Sequence, residues 1–302
     1  NKRLKETKKP VLFLGGGCRH AIKVIMLYAE LTNTPIVTTP TGKSWVTAYH
    51  PLNRGVFGFS GHQSAFDTMA SPEVDLIIAV GTSMGELSTS GWDEARMGNK
   101  LVHISTSAED FARTPMARLH LVGDLRTIFA NMHKDAMLNN KEFVFETLGP
   151  YNSEGDYLPA NIEVIEPENL NKKTSLIMPQ AVMRELAQRF PKDTRYIIDA
   201  GNAWAWATHY LFLEETGLQR TGFGFGAMAW VKLAGAWGNL IVDIGLAQTF
   251  IIYGIAFAVL VLIGSLWMKM PPHGWRPDGY QPAEINSGSG GVDFSVNEML
   301  NT

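Results

Sequence analysis

The chain is poor in the residues that build the commoner reactive centres. Its 302 residues include a single cysteine, Cys18. That excludes an internal disulfide and any site built from several cysteines, and it favours a reducing compartment. No His/Cys/Asp/Glu cluster has metal-ligand spacing. No GxSxG or Walker sequence is present. Glu86, Glu214 and Glu215 lack the paired spacing of a carboxylate dyad. Positive charge is not in excess: 26 Lys and Arg face 29 Asp and Glu, for a net −3. The whole chain therefore offers no argument for nucleic-acid binding. The basic opening NKRLKETKKP has no apolar core of a signal peptide behind it. The first residue is Asn1 rather than Met, which reads as a fragment or a processed chain.

What is present is apolar. Hydrophobic residues make up 45% and charged residues 18%, enough for a sizeable core and too apolar for disorder. The length allows two domains. VLFLGGG (11–17), TPIVTTP (34–40), DLIIAVGTS (75–83), KLVHIS (100–105) and HLVGD (120–124) read as buried strands, each ending in turn residues. Segments between them, such as AIKVIMLYAEL (21–31), have helical spacing. Strand–helix alternation implies α/β architecture: a doubly wound parallel sheet over residues 8–135. Residues 136–174 are polar and rich in Pro, Gly, Asn and Glu, and read as a connector or a loop packed over a domain. A partial second α/β domain covers 175–230. Its elements are a helix at MPQAVMRELAQRF (178–190), a strand at RYIID (195–199) and a helix at AWAWATHYLFL (203–213). Ile244 to Met268 is 25 residues without a charge, bracketed by Asp243 and Lys269. A bilayer span needs about 20 such residues, so 244–268 is expected to be a transmembrane helix. Lys269 and Arg276 place its C-terminal side in the cytoplasm. The remainder, 269–302, is a loop-rich polar tail.

Several strand ends carry candidate sites. Gly15, Gly16 and Gly17 lie between a strand and a helix, where backbone N–H groups hold a phosphate or simply make a tight turn. The loop GVFGFSGHQSA (55–65) offers backbone to a flat ligand. His62 within it reads more readily as a helix cap or a solvated residue than as a catalyst, because no sequence neighbour supports acid–base work. VGTS at 80–83 and VGD at 122–124 end strands on the same rim, where such sheets bind ligands. In IIDAGN (197–202), Gly201 allows close backbone approach, and Asn202 caps the helix or binds phosphate.

In that order, KPVLFLGGG, TPIVTTPTGKSWVTAYHPLNRGVFGFSGHQSA, DLIIAVGTS, LVHIS, LVGD, IIDAGNAWAW and GFGAMAW resemble the thiamine-diphosphate enzymes of the acetolactate synthase and pyruvate oxidase type, over residues from about 8 to 230. The resemblance implies a central nucleotide- or FAD-binding-like domain at 8–135 and the start of a thiamine-diphosphate domain at 175–230. It implies FAD or ADP along Gly15–Gly17, along Gly58, Phe59, Ser60, Gly61 and His62, and along Gly81–Thr82. Ser105 and Asp124 would lie near the adenosine end, with Ser105 replacing the family's usual aspartate. It places thiamine diphosphate beside Gly201, Asn202 and Ala203, with Gly226 and Met228 supporting its bent form and Ala229 replacing a usual glycine. The family's catalytic glutamate domain and its Mg²⁺ motif, Gly-Asp-Gly followed by Asn, are not found in the sequence. From about 238, GLAQTFIIYGIAFAVLVLIGSLWMKMPPHGWRPDGYQP resembles the sixth helix and central loop of oxalate/formate antiporters of the major facilitator type. GVDFSVNEMLNT is similar to the lead-in to the seventh helix. The expectation is a fragment of an enzyme acting on 2-oxo acids by decarboxylation or carboligation, fused to a transporter fragment and incomplete for catalysis. The parent enzyme would be a cytoplasmic homodimer or tetramer. This chain would be attached to a membrane through 244–268, with its α/β part soluble. Two alternatives stand beside it: a membrane-tethered adenine-nucleotide or flavin binding module, and a chimeric reading frame without function of its own.

Overall fold

The computed structural model describes residues 7–91, 100–144, 151, 157–172, 174, 177–199, 201–221 and 245–267. The chain forms two compact units, Asn1–Trp230 and Val231–Thr302.

The first unit is built on a parallel sheet of β1 (Pro10–Leu14), β2 (Ile36–Thr38), β3 (Asn53–Val56), β4 (Leu76–Val80), β5 (Leu101–Ser105) and β6 (Leu119–Val122). Its strand order is β3-β2-β1-β4-β5-β6. The runs PVLFL and LIIAV are buried at every position, as central strands covered on both faces must be. Alternate residues feed two cores. Leu12, Leu14, Ile36, Ile78 and Ile104 pack beneath helices α1 (Ile22–Thr32) and α3 (Leu125–Leu138), where they meet Ile25, Tyr28 and Phe129. Val11, Phe13, Val37, Ile77 and Ala79 pack with Phe57 and with Ala65 and Met69 of α2 (Gln63–Ala70). Helix α1 stops at Asn33, which turns left-handed (φ 53°) and returns its N–H to the carbonyls of Ala29 and Glu30.

The order places β1 and β4 side by side, with β2 and β3 leading away from one and β5 and β6 from the other. That divergence is the switch point where open α/β sheets hold ligands at their carboxyl ends.

The second part of the unit contains α4 (Pro179–Arg189), β7 (Tyr196–Ile198), α5 (Asn202–Tyr210) and β8 (Gln219–Thr221), with β7 and β8 parallel. Pro179 opens α4, where its missing N–H costs nothing. Tyr157, Ile162, Val164 and Leu170, from the polar 136–174 stretch, are buried against Ala48, Tyr210 and Phe212.

In the second unit the described element is α6, Leu246–Trp267, 22 residues without a charged side chain. The sequence leads to a bilayer span at 244–268; the structure gives a continuous helix there. Among the described residues no helix is long and apolar enough to cross a membrane.

Phe13 is fully buried and meets the Phe57 ring edge-on, centroids 5.8 Å apart. Phe13→Ala is expected to cost about 3–5 kcal/mol, read by urea denaturation. A loss below about 1 kcal/mol would contradict this packing.

Candidate cofactor site

The glycine loops at the switch point interlock. Gly15 N–H donates to Val80 O at 2.9 Å and Gly17 N–H to Gly81 O at 2.8 Å. A Cβ on Gly15 would lie 2.4 Å from Gly81 O, and Gly81 itself is left-handed at φ 56°. These positions are glycine because two backbones touch there. Two of the three glycine N–H groups are spent on that contact and do not face a phosphate. Beside them Cys18 donates to Val80 O at 3.1 Å, and burial pushes its thiol up to about 12, so it is chemically inert.

The loop after β3 is held as tightly. Gly58 adopts φ 106°, and a Cβ there would lie 2.3 Å from Leu87 O. Phe59 N–H donates to Leu87 O at 2.7 Å. His62 stands at the cap position of α2 but makes no side-chain cap bond. It is fully buried rather than solvated. Its Nδ1 accepts the Val56 N–H at 2.9 Å, and its Nε2–H donates to His209 O at 2.9 Å. These bonds fix the neutral Nε2–H tautomer. Burial above all, then His209 and Lys43, holds its pKa well below the usual histidine value. Both nitrogens are committed to backbone, so His62 is a positioning residue.

The structure brings this loop against α5. The His62 and His209 rings stack with centroids 4.7 Å apart, and Phe59 stacks on Trp204 at 5.2 Å. His209 Nε2 accepts the Ile165 N–H at 3.0 Å, and its Nδ1–H faces the carbonyls of Gly61 at 3.1 Å and Ser60 at 3.3 Å. Burial lowers its pKa too.

At the C-terminus of α5, Lys43 Nζ donates to Ala207 O at 2.7 Å, Thr208 O at 2.8 Å and Leu211 O at 2.7 Å. It also lies 5.2 Å from the centre of the Phe212 ring. The stem of Lys43 is partly exposed, but its ammonium is buried. The carbonyls and the ring favour the charged form; burial opposes it and wins, drawing Lys43 down to about 7. Gly42 makes this turn possible, because a Cβ there would lie 2.0 Å from Leu14 O.

The other end of α5 is open. Gly201 is the N-cap in extended geometry with no side-chain cap bond, and Gly201, Asn202 and Ala203 are all exposed. Asn202 is therefore the first helical residue and not the cap. Gly226 and Met228 lie outside the described residues.

Further along the rim, Ser105 is buried and its hydroxyl donates to Asp110. Asp124 caps α3, accepting the Thr127 N–H at 2.8 Å and its hydroxyl at 2.7 Å, and these bonds lower its pKa. Gly123 N–H donates to Ser105 O at 3.1 Å, which keeps the two strand ends adjacent. His103, not singled out in the sequence, donates from Nε2 to Thr82 O at 2.8 Å, and its Nδ1 accepts the Thr114 hydroxyl at 2.9 Å. It anchors the Thr82 turn from below. Lys43 and His209 were missed as well. Their partners lie far away in sequence, and no local pattern marks them.

Residues 1–132 match the family described as thiamine pyrophosphate enzyme, central domain. The chain is 26% identical over 250 residues to the acetolactate synthase large subunit of Cyanidium caldarium, covering 77% of this chain and 40% of that protein. It is 26% identical over 313 residues to the acetolactate synthase of Arthrospira platensis, covering 95% of this chain and 52% of that protein. It is 32% identical over 142 residues to the 3D-(3,5/4)-trihydroxycyclohexane-1,2-dione hydrolase of Clostridium perfringens, covering 46% of this chain and 22% of that protein. The chain thus spans about two fifths to one half of the acetolactate synthases it matches. The transporter resemblance from 238 onward gains no support from these relatives, since the Arthrospira platensis match takes in most of that stretch.

The buried Lys43 gives a pH signature. Unfolded lysine holds its proton to about pH 10.4, whereas folded Lys43 releases it near pH 7. Between those values the unfolded chain binds the extra proton, so this residue's contribution to stability rises with pH. Lys43→Met should destabilise through the lost hydrogen bonds to three helix-end carbonyls, each worth about 0.5–1.5 kcal/mol. The wild-type advantage should be larger at pH 9 than at pH 6.5 in urea melts. An equal difference at the two pH values would contradict the assignment.

Proposed function

We propose that the chain carries the central domain and the opening part of the cofactor domain of a thiamine-diphosphate enzyme, acetolactate-synthase-like and acting on 2-oxo acids such as pyruvate. The carrying observation is the similarity to acetolactate synthases over 77% of the chain or more, on a sheet whose strand order creates the switch point.

The residues present fit one end of the cofactor. The N-terminus of α5 is exposed and capped by a glycine, with no side-chain cap bond though the Asp199 carboxylate is close by, and its positive pole suits a diphosphate accompanied by a cation. Gly201, Asn202 and Ala203 would hold that group, with Gly226 and Met228 supporting the bent form. Bound thiamine diphosphate supplies the electron sink for cleaving or forming a bond beside a ketone. Mg²⁺ would offset the diphosphate charge; among the described residues no group of three or more His, Cys, Asp or Glu is placed to hold a metal.

An FAD or ADP would run over the central rim at Gly15–Gly17, Gly58–His62, Gly81–Thr82, Ser105 and Asp124. Gly17, Phe59 and Asp124 are the exposed members there, with Gly16, Ser60, Gly61 and Gly81 half-buried, while His62 works from beneath by fixing the loop. The relatives' remaining length would complete catalysis, with cofactors shared across a homodimer or tetramer.

A second reading makes the chain a membrane-attached adenine-nucleotide or flavin binding module. What favours it is the exposed apolar surface of α6, where Ile251, Ile255, Val259, Leu262 and Leu266 face outward.

Calorimetric titration tests both. Thiamine diphosphate with Mg²⁺ should bind saturably, and Gly201→Glu, which sets a carboxylate at the exposed helix start, should weaken it at least about tenfold. No heat at millimolar cofactor would remove the thiamine role. Binding of FAD or ADP alone, together with flotation of the chain on lipid vesicles, would favour the second reading.

A further inference from the structure

A helix that follows a strand of a parallel sheet runs back along it, so its C-terminus lies at the amino ends of the strands, away from the cofactor rim. At that end of the sheet an open cleft of about 410 Å³ lies between α1, α3 and the turn after α3. Met132, Asp135, Ala136 and Asn139 line it at the spacing of one helical face. Tyr28 lines it from α1, and Asn140, Lys141 and Glu142 from the turn. The turn is tied down at both sides. Lys141 N–H donates to Ala136 O at 3.1 Å, Phe143 N–H to Thr32 O at 2.8 Å, and Asn33 Nδ2 to Phe143 O at 3.2 Å. The last turns of the two helices therefore meet at this cleft.

The cleft is negative in character. Each helix turns its negative pole toward it, and neither has a basic residue in its last turn. The carboxylates of Asp135 and Glu142 make no hydrogen bond or ion pair with the described residues. Against them the described lining sets one cation, Lys141, which lies over the Phe143 ring at 5.3 Å. Tyr28 points to a ligand independently. It is only 3% exposed, and its ring meets Phe129 edge-on at 5.7 Å. Its hydroxyl has no hydrogen-bond partner among the described residues, yet the oxygen is not sealed in the core. A tyrosine packed this deeply ordinarily bonds its hydroxyl to protein; this one faces the cleft. Burial, then the charge of Asp135, pushes it up to about 12, so it stays protonated and neutral. A hydroxyl oxygen and a carboxylate on one space both accept hydrogen bonds, and the group that donates to both while carrying positive charge is an ammonium. A metal ion is served less well, since among the described residues no three His, Cys, Asp or Glu are placed to hold one.

We infer that this cleft binds a small aliphatic ammonium compound, with its ammonium between the Tyr28 hydroxyl and the Asp135 carboxylate and its carbon chain along Met132 and Ala136. The volume is within the roughly 300–1,000 Å³ of ligand pockets. The cleft and the thiamine and nucleotide contacts lie at opposite ends of the strands, so the site stands or falls separately from them.

Calorimetry on the full chain with butylammonium chloride and with butanol tests it. Butylammonium should bind once per chain, at least about tenfold more tightly than butanol. Tyr28→Phe keeps the buried ring, removes only the hydroxyl, and should weaken butylammonium about tenfold. Asp135→Asn, at a half-buried position, should weaken it at least as much. Neither substitution should change the response to butanol. If Tyr28→Phe fails to fold by circular dichroism, Asp135→Asn with the butanol control decides. No heat at millimolar butylammonium, equal affinity for butanol, or binding untouched by folded Tyr28→Phe would overturn the proposal. Calcium binding that Asp135→Asn abolishes, without butylammonium binding, would overturn it in favour of a metal site.

Discussion

The first unit depends on one buried lysine. The last carbonyls of a helix have no partners within the helix, and those of α5 end inside the protein rather than in water. Lys43 reaches them from a turn more than 160 residues earlier and donates to three at once. A positive charge at a helix C-terminus also suits the helix dipole. Around it the same turn makes further main-chain bonds: Ser44 Oγ donates to Gln219 O at 2.5 Å, and Gly217 N–H donates to Ser44 O at 2.5 Å. Trp45 closes the circuit by donating from Nε1 to Gly16 O at 2.9 Å. A short stretch after β2 therefore joins the glycine rim, α5 and the strand that follows it.

This arrangement sorts the rim residues by role. Gly15, Gly17 and Gly81 touch each other, and their value is close backbone packing. His62, His103 and His209 each use both ring nitrogens on neighbouring protein groups, mostly backbone. Burial lowers the pKa of all three. They are neutral struts that hold loops in place. What is left facing outward is Gly17, Phe59, Asp124 and the start of α5, with Gly16, Ser60, Gly61 and Gly81 half-buried beside them. Its one carboxylate, Asp124, is committed to capping α3, so no exposed side chain of this rim stands free for acid–base work.

Most of the sheet was legible because β1, β4 and β5 are continuous apolar runs bounded by turns. β3 was not, because NRGV has one apolar side chain and its pairing with β2 shifts register between Ile36 and Thr38. β8, QRT, has no apolar residue at all and is a strand only because β7 lies beside it. The candidate site divides in the same way. Glycines at strand ends announce themselves locally. The contacts that fix the loops do not, since Lys43, His62 and His209 act on groups about 150 residues away, and a histidine's burial has no local signature. Asn202 reads as a cap because Asn prefers that position, but the cap is Gly201 and Asn202 is the first helical residue.

The two ends of α5 explain why that glycine matters. Nine residues make a helix about 13 Å long, short enough that both poles belong to one rigid piece. Its negative pole is already answered by Lys43, and its C-terminal half is clamped by the His62–His209 stack. Its positive pole is exposed and lacks even the side-chain oxygen that most caps supply. A helix fixed at one end holds its exposed pole, with the Asp199 carboxylate close beside it, in one place. The hydrogen bonds of Lys43 at one end and the Phe59–Trp204 stack near the other then hold Gly201, Asn202 and Ala203 at a fixed place against the loop of Phe59.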